Sequence, residues 1–77
     1  MQLKDLNLGA KAKIKSLKTG DKAYRNKLIA MGLIPGTQVT LERIAPLGDP
    51  IEISVRGYAL SLRKDEAQII ELHEVQL

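Results

Sequence analysis

Glu71 and His73 stand two residues apart, so on a strand they would share one face and offer a carboxylate and an imidazole together. Ferrous iron and similar ions accept both ligand types. A typical site needs three or more convergent ligands, and Glu74, next in line, would point elsewhere on a continuing strand. The ordinary reading of this pair is a solvated polar edge, with Glu71 and His73 kept as weak metal candidates. Lys11, Lys13, Lys15 and Lys18 could meet phosphate. They equally suit the solvated face of a strand, where lysine discourages edge pairing. Single-strand nucleic-acid readers add aromatic stacking platforms, and this chain has only Tyr24 and Tyr58, with no Phe or Trp.

The residues give no purchase for catalysis. Ser16, Ser54 and Ser61 are the serines and His73 is the single histidine. None sits in a recognisable nucleophile motif, and an unactivated hydroxyl is a weak nucleophile. No Walker-type glycine-rich loop is present. The absence of cysteine removes disulfides and sulfur-ligated zinc. No enzyme activity and no cofactor are expected, and weak transition-metal binding is left open.

The 77 residues suffice for one domain, taken as 1–77. No apolar run approaches the roughly 20 residues that cross a bilayer, and the first ten residues resemble no signal peptide. The composition fits a soluble cytoplasmic protein. The net charge of +3 is a mild excess, short of the lopsided balance of nucleic-acid domains.

Any site must be carried by short strands and one helix. Ala10, Ala12 and Ile14 alternate with the lysines as a half-buried strand, and Leu17 breaks the pattern, predicting an end or a bulge. Asp21 to Met31 reads as the long helix, with Asp21 as N-cap and Gly32 at the left-handed position after its end. Leu33 would then fold back on Leu28. Tyr24, Leu28 and Met31 form the core stripe, while Lys22, Arg25, Asn26 and Ile29 face away.

Pro35-Gly36 predicts a type II turn. Thr37 to Ala45 follows as a strand in which Ile44 is out of phase, which suggests a bulge. Pro46-Leu47-Gly48-Asp49-Pro50 is a rigid connection. Ile51 to Arg56 alternates cleanly, Gly57-Tyr58 is read as a two-residue turn, and Ala59 to Arg63 returns. Lys64 to Ala67 forms one helical turn, and Gln68 to His73 the last strand. Five short strands close most simply as a mostly-β, SH3-like barrel with one α-helix inserted after the first strand.

Three segments, in this order, resemble FeoA-type ferrous iron transport accessory proteins. They are Tyr24 to Thr37 (YRNKLIAMGLIPGT), Ala45 to Ile51 (APLGDPI) and Leu60 to Ala67 (LSLRKDEA). The likeness runs from about Leu3 to Glu74. It implies an SH3-like barrel and a cytoplasmic role in bacterial ferrous iron uptake beside the membrane GTPase transporter FeoB. A similar fold forms the last domain of some iron-dependent repressors, whose DNA-binding domain has no counterpart here. The family brings no agreed catalytic residues. Its motif positions here look structural: Asp21, Leu28, Met31, Gly32, Leu33, Pro35, Gly36, Pro46, Gly48, Asp49 and Pro50.

The expected mechanism is protein contact on the cytoplasmic side of FeoB, without nucleic acid and without direct membrane insertion. Any place at the inner membrane would be peripheral, through the partner. Lys22, Arg25 and Ile29, on one outward helix stripe, with Tyr58 at the hairpin, are the partner-binding candidates, since Arg beside an aliphatic residue is a common interface pattern. A metal-responsive or nucleic-acid-associated SH3-like domain is the alternative.

Overall fold

The computed structural model describes residues 1–18 and 22–73, so Asp21 and Glu74 lie outside the described part. Five strands and two α-helices follow a 3-10 turn at Leu3–Asp5. They are β1 (Lys11–Leu17), α1 (Lys22–Ala30), β2 (Gln38–Ile44), β3 (Ile51–Val55), β4 (Tyr58–Leu62), α2 (Lys64–Ala67) and β5 (Ile70–Leu72). The sheet is antiparallel, in the order β4-β3-β2-β1-β5. This is the mostly-β, five-stranded arrangement, with the helix after β1, that the sequence predicts.

The breaks in alternation are the corners of the barrel. Lys11 to Lys13 pair with β2, whereas Ile14 to Leu17 pair with β5, with a register shift between Ile14 and Ser16. The strand thus changes partners after Lys13, and the shift that follows puts Leu17 out of phase with Ala12 and Ile14. A second shift between Leu41 and Arg43 returns Ile44 to a position opposite Ile51. An extra residue of this kind bends a strand and increases its twist.

Alternation places Ala12, Ile14, Val39, Leu41, Ile51, Ile53, Val55, Leu62, Ile70 and Leu72 inside, where they meet Leu28 and Leu33 from the helical segment. Leu3 and Leu6, from the 3-10 turn, join the same core. The sequence pattern does not announce them, because three residues are too few to show a helical period.

The end of α1 follows its glycine. Gly32 has φ 88, its N–H donates to Ile29 O at 2.9 Å, and Leu33 N–H donates to Leu28 O at 3.0 Å. These are the paired bonds of a Schellman cap. Thr37 N–H then donates to Ile34 O at 3.1 Å across Pro35-Gly36, and Gly36 has φ 91, as a type II turn requires.

Several boundaries differ from the sequence reading. The β3–β4 turn is Arg56-Gly57, not Gly57-Tyr58: Val55 pairs with Tyr58, and Arg56 and Gly57 have φ 50 and 85. Both positive values make it a type I′ turn, which matches strand twist. Arg56 conceals it, because a non-glycine residue rarely adopts that region. Tyr58 is therefore the first residue of β4, not part of the turn. The Thr37 to Ala45 strand narrows to Gln38–Ile44, and the last strand to Ile70–Leu72.

Candidate functional site

The nine residues of α1 pack one face on the barrel. Leu28 is fully buried, Tyr24 and Met31 are half-buried, and Lys22, Arg25, Asn26 and Lys27 are exposed. Ile29 lies on the outer side, 40% exposed. Lys22 and Ile29 are seven residues apart, so about 10 Å of helix separates the ends of the candidate stripe.

Tyr58 reaches this helix from the hairpin. Its hydroxyl donates to Met31 O at 2.8 Å, while its ring remains 46% exposed. Ile34, missed in the sequence, is 38% exposed, and its N–H donates to Gly32 O at 3.0 Å. Ile29, Ile34 and Tyr58 therefore ring the C-terminal end of α1 with apolar surface, and Arg25 lies one turn back. This arrangement offers aliphatic and aromatic area beside a guanidinium, suited to a protein surface.

Behind α1, Glu66 is buried on α2. Its Oε1 accepts from Arg63 N–H at 3.0 Å and its Oε2 faces Lys27 Nζ at 2.7 Å. Burial pushes its carboxyl up, but the bond from Lys27, the bond from Arg63 N–H and the two positive charges outweigh this and hold it below the ordinary range. Asp49 Oδ1 accepts from Lys64 N–H at 3.1 Å, so the central loop also holds the start of α2.

Glu66→Ala removes both contacts and should cost about 1–2 kcal/mol, mainly the lost cap, because Lys27 is more than half exposed and its share is screened. A lowered folded pKa stabilises above the unfolded value. That contribution should vanish as pH falls through the folded one. Melts of wild type and Glu66→Ala should therefore differ at neutral pH and converge in strong acid.

The metal candidates are differently placed. Glu71 Oε1 accepts from the Met1 amino group at 2.8 Å, and its Oε2 lies 3.7 Å from Lys18 Nζ. The bond from the amino group lowers its pKa; partial desolvation opposes this, and the charges of that group, Lys18 and Lys15 add to the lowering. His73 is exposed, and its backbone N–H donates to Lys13 O at 3.0 Å. Among the described residues no three His, Asp or Glu side chains gather into a metal-binding group. Lys11, Lys13 and Lys15 line the exposed face of β1.

A cleft of about 140 Å³ opens between Ile44, Ile51 and Ala67, with Lys4 and Lys64 also lining it. Leu47, in the central loop, is 94% exposed.

The FeoA domain family matches residues 1–74. This chain belongs to that family. It is 33% identical over 72 residues to a fusion of Fe(2+) transport protein A with the Fe(2+) transporter FeoB from Porphyromonas gingivalis. That match covers 94% of this chain but 8% of the fusion protein. The solution structure of a FeoA-like protein from Clostridium acetobutylicum is 42% identical, covering all of this chain and 87% of that one, with a TM-score of 0.84. FeoA of Stenotrophomonas maltophilia, solved with zinc and described as a prokaryotic SH3 domain protein, is 25% identical at a TM-score of 0.82, covering 95% and 89%. The FeoA fold is thus an SH3-like barrel, and the family serves ferrous iron transport.

Proposed function

We propose that this FeoA-family chain is a cytoplasmic accessory protein of bacterial ferrous iron uptake that acts by contact with the transporter FeoB. The single observation that carries this is the Porphyromonas gingivalis relative, in which the two proteins are one polypeptide. Fusion raises the effective concentration of one part at the other, which is useful where the two touch. No described helix is long and apolar enough to cross a membrane; the link to the membrane in this reading is the contact with FeoB. The net charge of +3 suits an acidic surface beside an anionic leaflet. The docking face is the outer side of α1, with Lys22, Arg25 and Ile29, joined at its C-terminal end by Tyr58.

No bond-making step is assigned to the chain, and no resident cofactor. Glu71 and His73 supply two ligands, and any ion at Glu71 would have to displace the cations that already neighbour it. Anaerobic calorimetry should show no submicromolar ferrous iron binding by the isolated protein. Submicromolar affinity that disappears in His73→Ala would favour a metal-sensing role instead.

The contact itself is tested by co-purification. Tagged chain should retain FeoB from detergent-solubilised membranes at low salt, less well as salt rises. Absence of FeoB at every salt concentration would overturn the reading.

A further inference from the structure

The two edges of the sheet are treated differently. On β5, Leu72 N–H donates to Met1 O at 2.7 Å and the 3-10 turn packs against the strand. Among the described residues no comparable main-chain bond reaches β4, the opposite edge. The two-residue turn makes Val55 and Tyr58 a hydrogen-bonded pair, and bonded pairs alternate along an antiparallel ladder. Leu60 and Leu62 therefore also bond to β3. The N–H and C=O groups of Ala59 and Ser61 point away from it, and among the described residues no backbone partner meets them.

Natural edges are usually blunted by charge, proline or a bulge. The sequence of β4, Tyr-Ala-Leu-Ser-Leu, has no charge and no proline, and it pairs with β3 in unbroken register. Ala59 and Ser61 are small and exposed, so another backbone can approach. The strand itself is uncharged; exposed Arg56 lies before it and exposed Arg63 and Lys64 after it, with Asp65 next in line.

Those ends decide the occupant. A second copy of β4 added antiparallel about Leu60 would bring Arg63 of each copy, the extended residue before α2, beside Arg56 in the turn of the other. A parallel copy would set like residues side by side. Like charges placed opposite one another are destabilising, so the edge disfavours its own copy while fitting acidic ends. We propose that β4 accepts an extended segment of a partner protein as a sixth strand, with small or apolar central residues and Asp or Glu at both ends. Main-chain bonds would supply affinity and the flanking charges specificity. The site shares Tyr58, the first residue of β4, with the face proposed on α1, but its outward groups belong to Ala59 and Ser61 and do not depend on the contact proposed there.

The test uses two synthetic peptides with the same Val-Thr-Val-Thr-Val centre, one flanked by glutamates and one by lysines. In NMR titrations at low salt, the glutamate-flanked peptide should bind at least about tenfold more tightly, the scale on which charge complementarity selects partners. It should slow amide exchange at Ala59 and Ser61 and change Leu60 little. Ser61→Pro removes one outward N–H, leaves the ladder to β3 unaltered, and should abolish the protection. Arg56→Glu with Arg63→Glu should reverse the peptide preference, which keeps the test readable if the proline variant does not fold. Equal binding of the two peptides, protection appearing elsewhere, or a β4-mediated dimer that excludes peptide would each overturn the proposal.

Discussion

Leu28→Ala should lower stability by about 2–5 kcal/mol, enough to leave much of the protein unfolded near physiological temperature. Leu28 is fully buried, and its carbonyl accepts from the N–H of Leu33, which is also fully buried. Truncation therefore opens a cavity where α1 meets the barrel, and a 77-residue domain has little core to absorb it. Gly32→Val should act at the same place by another route. Gly32 has φ 88, which a β-branched residue resists, and a Cβ there would stand 3.3 Å from the Tyr58 hydroxyl. The valine would strain the cap and press on the bond from Tyr58 to Met31 O. Thermal and denaturant melts would measure both. Wild-type melting of the two variants would mean that α1 does not close the core.

These effects are legible in the sequence because they rest on local rules. Period-two alternation at Ile51, Ile53 and Val55 places three core residues, and Gly32 followed by Leu33 marks a helix end. The misses share another cause. Arg56 adopts φ 50 because hairpin twist outweighs a residue's own preference, so the turn moved by one position. Glu66 looks like a surface residue of a charged run, and only folding brings Lys27 beside it. Leu3 and Leu6 are core by tertiary position rather than by periodicity. The candidate site was legible in part: the outward stripe of α1 follows from its period. Ile34 reaches its end through the turn after Gly32, whereas the proximity of Tyr58 is tertiary, made by its bond to Met31 O.

The second large effect belongs to the contact with the transporter. Ile29 interrupts a polar helix face, and Arg25 stands one turn before it. Buried against a partner, Ile29 would contribute apolar area and Arg25 an ion pair or hydrogen bond. Truncating a central contact of this kind commonly costs 2 kcal/mol or more of binding, about thirtyfold in affinity. Arg25→Glu with Ile29→Asp reverses one charge and places another where apolar area is needed, so the loss should exceed that of simple truncation. Neither residue belongs to the buried core, so the fold should survive.

The most direct measurement is co-purification of this double variant with FeoB from membranes, alongside circular dichroism of the purified variant. The account predicts a wild-type spectrum, no retained FeoB, and iron uptake reduced to the level of cells lacking the protein. A folded variant that retains FeoB at the wild-type level would contradict the assignment of the docking face to α1.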